Sequence, residues 1–166
     1  MGATRMIGTL GIRMATRRDV SRITELGREY LLLGPYKEQI TDNSEAIERF
    51  TEWLFQQEHA RILVYQSEDM VQGVLAFIIY PHYYGGDLCA NELIWCVDKA
   101  YRGQASMELL WNAEQMAYDM GAVYMQLTAP TPEVGKIYER CKYRLVECGY
   151  QAKLKDRVRC PQSVRV

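Results

Sequence analysis

The sequence predicts an α/β fold in which a mixed β-sheet carries helices on both faces. Three observations support this expectation. Amphipathic helical segments alternate with short apolar strands, two of the strands are joined by a hairpin turn, and no repeat or linker divides the 166 residues. The predicted element order is β-α-α-β-β-β-α-β-α-β-β. We expect a single domain over residues 1–154, followed by a basic, mobile tail over residues 155–166.

The start of the chain is predicted to form a strand and a capped helix. Residues 10–15 have the length and apolar content of a short strand. Thr16 then begins a helix, because Asp19 three residues later completes a capping box. Apolar side chains recur at helical spacing as far as Leu31, and the Gly-Pro pair at 34–35 ends the helix.

A second helix and a hairpin follow. Residues 44–57 are predicted to be helical, with inward positions at Ile47, Phe50, Trp53 and Leu54. Two apolar strands, 61–66 and 71–80, are separated by a short polar turn, which is typical of a hairpin. Residues 81–87 are rich in aromatic residues and glycine and are predicted to form a loop.

The segment 91–110 is the most informative part of the chain. It begins as a strand with one face formed by Glu92, Ile94 and Cys96 and the other by Leu93, Trp95 and Val97. Residues 98–101 turn, and a helix starts at 102–103. The first turn of a helix leaves N–H groups unpaired, and the helix dipole favours an anion there. This segment therefore predicts a phosphate-binding arrangement beside a strand that carries a carboxylate.

Shorter elements complete the predicted order. Residues 123–127 form a strand, and the prolines within 128–132 interrupt the chain. Residues 133–141 form a short helix, and residues 144–147 and 150–154 are expected to form a last pair of strands.

Composition excludes several classes of function. The net charge of −1 does not favour nucleic-acid binding by the whole surface, and no apolar run reaches the roughly 20 residues of a membrane helix. The five cysteines are odd in number and lack CxxC spacing, which is typical of reduced thiols in a cytoplasmic protein. With only two histidines, a histidine-based metal site is not expected.

Three motifs resemble those of one enzyme superfamily. Residues 12–19 (IRMATRRD) look like an "IRxATxxD" strand and capped helix. Residues 97–103 (VDKAYRG) resemble a "VxPxYRG" approach to a pyrophosphate loop, and residues 134–143 (VGKIYERCKY) resemble an "AxxxYExxGF" helix and strand. By these motifs and by element order over roughly residues 10–154, the chain resembles the GNAT superfamily of acetyl-CoA-dependent N-acyltransferases.

Other segments extend or depart from this resemblance. Residues 81–85 and 91–97 are similar to a subset of these enzymes associated with bacteriophage genomes. Ala105 stands where the superfamily's loop has glycine, Met107 where it has a small residue, and Lys142 where glycine precedes the last aromatic. Glycine allows the backbone to approach a pyrophosphate closely, so the first two departures bear on cofactor affinity.

The resemblance implies an N-acetyltransferase that moves an acetyl group from acetyl-CoA to a primary amine by direct attack in a ternary complex. Glu92 would be the general base, and Tyr138 the general acid that protonates the departing thiolate. For each of these two residues a structural role is the alternative interpretation. Glu92 could instead bond a neighbouring strand or loop, or contact the substrate amine, and Tyr138 could be a core tyrosine in line with Val134 and Ile137.

The resemblance also implies cofactor and acceptor contacts. Coenzyme A would be bound by Cys96, Val97, Arg102, Gly103, Gln104, Ala105, Ser106 and Met107. No Cys-His-Asp constellation accompanies Cys96, which favours a core thiol over a nucleophile. Tyr36, His82 and Tyr83 are candidates to contact the acceptor, which would be a small-molecule, peptide or modified-nucleoside amine. Homodimers are common in this superfamily.

Two alternatives belong to other classes. A catalytically silent GNAT-like module would bind acyl-CoA or a protein partner, and the departures at Ala105 and Met107 favour it. A non-enzymatic α/β interaction domain would use the basic tail to bind polyanions.

Overall fold

A mixed β-sheet lies between two groups of helices. The computed structural model describes residues 11–34 and 36–154. Within them the strands are β1 (Gly11–Met14), β2 (Ala60–Ser67), β3 (Met70–Pro81), β4 (Leu88–Val97) and β5 (Tyr124–Gln126). The α-helices are α1 (Val20–Leu33), α2 (Ser44–Leu54), α3 (Gln104–Asp119) and α4 (Pro132–Arg140). Single turns of 3-10 helix occupy Arg17–Asp19 and Lys99–Tyr101.

The sheet has the strand order β1-β2-β3-β4-β5. Its first four strands are antiparallel to their neighbours, and β5 runs parallel to β4. Helices α1 and α2 cover one face, where Ile23 and Leu54 pack against Val74 and Cys96 in a first core. Helix α3 covers the other face and forms a second core with the opposite side chains of β2 and β3. The predicted mixed α/β sheet with helices on both faces is confirmed.

The predicted capping box forms, but it begins the 3-10 turn Arg17–Asp19, and α1 follows from Val20. The backbone N–H and hydroxyl of Thr16 both donate to the carboxylate of Asp19, at 2.7 and 3.1 Å, in the predicted capping box. Arg13 adds two hydrogen bonds to the same carboxylate and holds its pKa below the usual value. Helix α1 ends at Leu33 and is followed by Gly34, where an added Cβ would lie 2.6 Å from the carbonyl oxygen of Tyr30.

Helix α2 differs from its prediction in length and in the face it buries. It ends at Leu54, three residues before the predicted end. Leu54 is buried as expected, but Phe50 and Trp53 are 37% and 43% exposed and stack on each other with ring centroids 5.7 Å apart. The predicted inward orientation of these two aromatic residues is wrong, because the narrow buried stripe of α2 is completed by Thr51.

Strand β4 does not keep the strict alternation that its sequence suggests. Ala76 of β3 pairs with Ile94 and Phe77 pairs with Glu92, so Leu93 is the extra residue of a β-bulge. As a result, Leu93 and Ile94 both pack against the first core, although alternation places them on opposite faces. The bulge directly follows Glu92.

The predicted last pair of strands is not formed. After α4, residues 144–147 and 150–154 contain no β-strand. Their apolar side chains are not packed against the described core: Leu145, Val146, Tyr150 and Leu154 are 70% exposed or more. A hairpin needs a buried face to be stable in water, so these segments remain irregular. The basic tail predicted for residues 155–166 lies outside the described residues.

Two further expectations concern thiols and membranes. Cys89 and Cys96 are buried and free of disulfides, as predicted for small core residues. No helix in the described part of the chain is long and apolar enough to cross a membrane.

The end of α4 explains one departure from the superfamily's motif. Lys142 has φ 71°, in the left-handed region that a helix usually reserves for glycine after its last residue. Its N–H bonds the carbonyl of Glu139, and the N–H of Tyr143 bonds the carbonyl of Tyr138, which closes the helix end. A lysine at this position accepts backbone strain that glycine avoids.

We therefore expect Lys142→Gly to raise the free energy of unfolding by about 1 kcal/mol, measured by urea denaturation. The matched control is Lys136→Gly, which places glycine inside the same helix at an exposed position and should lower stability by about 1 kcal/mol. Equal losses in both variants would contradict a left-handed Lys142.

Candidate functional site

The site is built where β4 and β5 part. Strand β5 pairs with β4 only through Cys89, Ala90 and Asn91, so in the described chain residues 92–97 have no strand partner on that side. A cleft of about 1240 Å³ lies along this open edge. Side chains from α1 and α2 line it on one face of the sheet, and the start of α3 lines it on the other. The cleft therefore passes the sheet edge from one face to the other.

Glu92 is the first residue of β4 beyond the pairing with β5. Its side chain is partly buried on the cleft, and its Oε2 accepts a hydrogen bond from the backbone N–H of Thr128 at 3.1 Å. Burial raises the pKa of this carboxyl from 4.5 to about 6, and the Thr128 N–H acts in the opposite direction. Glu92 is therefore a carboxylate at neutral pH with unusually high proton affinity, which suits a general base.

Tyr138, a residue of α4, also contacts the backbone of Thr128. Its ring is only 8% exposed and stacks on Trp95, with centroids 5.7 Å apart and planes 6° from parallel. Its hydroxyl donates a long hydrogen bond of 3.4 Å to the carbonyl oxygen of Thr128. Burial, with Glu92 as a second cause, raises the pKa of this phenol well above its usual value. The hydroxyl therefore keeps its proton at neutral pH and is available as a donor.

Thr128 thus joins the two candidate catalytic residues. Its N–H is bound to Glu92, and its C=O is bound to Tyr138. The ring of Tyr138 is buried like that of a core tyrosine, whereas its hydroxyl bonds Thr128 beside the cleft. A single peptide segment after β5 therefore holds a proton acceptor and a proton donor on one cleft.

The start of α3 has the glycine and the free first turn on which the predicted anion site depends. Gly103 precedes the helix with φ 96° and ψ −96°, a conformation that only glycine adopts without strain. The N–H of Met107 bonds the carbonyl of Gly103 at 3.0 Å, so the N–H groups of residues 104–106 lie in the first turn, where a helix provides no carbonyl partner. The side chains lining the cleft here are Arg102, Gln104, Ser106 and Met107.

Ala105 occupies a different environment from its neighbours. Its side chain is 2% exposed and packs in the second core, not among the cleft-lining residues. It was predicted to bind the cofactor, and only its backbone N–H has the position for such a contact. Since its methyl group packs in the second core, the alanine side chain does not occupy the cleft beside the first-turn N–H groups.

The end of β4 is held by the loop that follows it. Arg102 donates from Nε to the carbonyl of Val97 at 3.2 Å, and Asp98 accepts from the N–H of Ala100. Cys96 lies buried on the cleft, where burial raises the pKa of its thiol to about 12. The thiol remains protonated at neutral pH, which does not suit a nucleophile.

The three predicted acceptor contacts fall in two places. Tyr36 lines the cleft, with its ring centroid 6.5 Å from that of Tyr30. His82 and Tyr83 lie in the loop before β4, where their rings stack with centroids 4.6 Å apart. Neither is among the described residues that line the cleft. The structure brings Tyr36 to Glu92's cleft but does not bring the other two.

Sequence reasoning missed three contributors to the site. Local patterns predict a chain break at Thr128, a helical position at Tyr30 and an alternating strand position at Trp95, and none of them predicts a place in the site. All three line the cleft. The two prolines after Thr128 are a signal that its backbone leaves the sheet, but no local pattern shows which side chains it meets.

Comparison with known proteins identifies the fold. No protein-family model matches the sequence, and no curated protein is significantly similar to it. Among solved structures, a transcriptional regulator from Bacillus halodurans C-125 is 19% identical with a TM-score of 0.72, over 87% of this chain and 99% of that one.

Two acetyltransferase structures are similarly close in fold. Glucosamine-6-phosphate N-acetyltransferase from Arabidopsis thaliana is 18% identical, with a TM-score of 0.68 over 87% of this chain and 98% of that one. A predicted acetyltransferase with acetyl-CoA from Clostridium acetobutylicum is 13% identical, with a TM-score of 0.70 over 89% and 98%. The chain has the GNAT acetyltransferase fold.

The raised pKa of Glu92 predicts a measurable effect on stability. The folded state binds the Glu92 proton more tightly than the unfolded state does. The contribution of this group to the free energy of unfolding is therefore greatest below pH 4.5 and falls as the pH rises through about 6. At about pH 8, Glu92→Gln should therefore raise the free energy of unfolding by up to about 2 kcal/mol, and at about pH 4 it should have little effect.

Urea denaturation at both pH values tests this expectation. Glu139→Gln is the control, because Glu139 is an exposed glutamate of α4 outside the cleft and should change stability by less than about 0.5 kcal/mol. A Glu92→Gln variant that is less stable than the wild type at the higher pH would contradict the buried, destabilised carboxylate.

Proposed function

We propose that the protein is an N-acetyltransferase that transfers an acetyl group from acetyl-CoA to a primary amine by direct attack. The observation that carries this proposal is the arrangement around Thr128. Glu92 and Tyr138 are bound to the two sides of one peptide segment, on a cleft that also contains a helix N-terminus and an open strand edge. The fold supports the same reaction class.

The cleft has the features that coenzyme A requires. The first turn of α3, with Arg102 beside it, supplies N–H donors and positive charge for a pyrophosphate. Residues 92–97 of β4 have no strand partner in the described chain on the side away from β3, and there the amides of a pantetheine arm can bond as an added strand. Ligand pockets are usually roughly 300–1,000 Å³, so the volume of about 1240 Å³ is sufficient for a cofactor and a second substrate.

Two residues of the chain perform the proton transfers in this proposal. When bound, acetyl-CoA supplies the acetyl group as a thioester, whose C–S bond breaks as the acceptor amine forms its C–N bond. Glu92 takes the proton that the arriving ammonium must lose to become a nucleophile, because its carboxylate is ionised above about pH 6. Tyr138 donates its phenolic proton to the leaving sulfur and regains a proton from the nitrogen as the amide forms. The backbone N–H of Thr128 holds Glu92, and its C=O holds Tyr138.

A catalytically silent acyl-CoA-binding module is the second candidate. Met107 favours it, because this long side chain lies on the cleft where the superfamily has a small residue. Calorimetry with acetyl-CoA and thiol release across a panel of amines distinguish the two. Heat with thiol release supports the enzyme, heat without thiol release supports the silent module, and no heat excludes both.

For the enzyme, kcat/KM should rise with pH and level off above about pH 6, because the pKa of the Glu92 carboxyl in the enzyme without substrate is about 6. Glu92→Gln should lower kcat by roughly 10²–10⁴-fold and abolish this pH dependence, because glutamine still accepts the Thr128 hydrogen bond but takes no proton. Glu139→Gln should keep both rate and profile. A Glu92→Gln variant with the wild-type profile would show that another group is the base.

Tyr138→Phe should lower kcat by about 10²-fold or more while the Kd for acetyl-CoA changes little, because the ring stacking on Trp95 is preserved. Tyr80→Phe is the control: it removes a phenol bonded to Gln126, and neither residue lines the cleft, so kcat should be retained. Weakened acetyl-CoA binding with unchanged kcat would contradict the role of Tyr138 as an acid.

A further inference from the structure

The α1–α2 side of the cleft has an unusual charge distribution. Among the described residues that line the cleft, fifteen come from α1, α2 and the segment between them, and Glu29 is the only charged one of these fifteen. No lysine, arginine or histidine belongs to this described part of the lining. Arg28, the residue before Glu29, is held by Asp42 through hydrogen bonds of 2.9 and 2.5 Å.

The same side of the cleft presents apolar surface to solvent. Leu33, Ile40 and Phe50 line it and are 76%, 45% and 37% exposed. Covering such side chains stabilises a complex by about 25 cal/mol for each Å² of apolar surface removed from water. These residues therefore favour a ligand that has an apolar body of its own.

Two tyrosine rings line the same cleft as this apolar surface and Glu92. Tyr30 and Tyr36 line the cleft with centroids 6.5 Å apart, and Tyr30 is close enough to Glu92 to sense its charge. Aromatic faces attract cations, and the carboxylates of Glu29 and Glu92 favour the ammonium form in which an amine arrives. An anionic group on the acceptor would instead meet carboxylates, and no cation is found among the described residues that line this side.

We propose that the acceptor is a primary amine on an apolar or aromatic body that carries no phosphate or carboxylate group. This inference rests on the proposed acetyltransferase function and specifies its substrate class. It separates this chain from an acceptor such as a phosphorylated amino sugar, which needs a cation to pair with its phosphate. Specificity comes from the absence of a cation among the described residues that line this side of the cleft as much as from the apolar surface.

Matched pairs of amines test the inference. L-Phenylalanine amide and L-phenylalanine share a ring and an amine but differ in one carboxylate, and glucosamine and its 6-phosphate differ in one phosphate. We expect kcat/KM, measured by thiol release, to be at least about tenfold higher for phenylalanine amide than for phenylalanine or for glycinamide. Equal or higher kcat/KM for phenylalanine or for glucosamine 6-phosphate would overturn the inference.

A pair of charge variants tests where the selectivity arises. Phe50→Lys places a cation on the apolar surface of the cleft and should reduce the preference for phenylalanine amide over phenylalanine by about tenfold. Trp53→Lys adds the same charge one helical turn away, outside the cleft lining, and should leave the preference unchanged. The same shift in both variants would show a general charge effect and contradict the proposed surface.

Binding measurements separate this inference from the proposed function. Calorimetry of phenylalanine amide and phenylalanine is performed on the protein saturated with coenzyme A, so it needs no turnover. Tighter binding of the amide without thiol release keeps the inference about the cleft and rejects the enzyme. Thiol release with other amines, but no binding of the amide, keeps the enzyme and rejects the inference.

Discussion

The site depends on the point at which β4 and β5 stop pairing. Parallel strands that remain paired satisfy each other's backbone groups, whereas strands that part leave a row of N–H and C=O groups without partners. Here the pairing ends at Asn91, and the bulge at Leu93 follows immediately. The open edge, the position of Glu92 and the space for a ligand are consequences of this one interruption.

Burial of the site produces different chemistry in each of its ionisable groups. A medium of low polarity disfavours charge, so it raises the pKa of a carboxyl, a phenol and a thiol alike. For Glu92 the result is a base with a pKa of about 6, which is ionised but close to neutral pH. Tyr138 and Cys96 keep their protons. One environment therefore yields an acceptor, a donor and an unreactive thiol within the same cleft.

Local sequence patterns predicted most elements because their causes are local. The capping box at Thr16 and Asp19, the glycine before α3 and the hairpin between β2 and β3 depend on residues a few positions apart. The errors occurred where burial depends on distant partners. Phe50 and Trp53 have helical spacing suited to a core, but both stay more than a third exposed, and the apolar residues after α4 are at least 70% exposed and form no hairpin in the described chain.

The sequence by itself determined the α/β order through α4, the helix start at Gly103 and the candidates Glu92 and Tyr138, because each is recorded in a local motif. Only the tertiary structure decided that Glu92 and Tyr138 share Thr128, that Ala105 turns into the core and that His82 and Tyr83 lie off the cleft. Glu92 and Thr128 are 36 residues apart in the chain. Their contact depends on where two strands part, and no periodicity within either strand encodes that point.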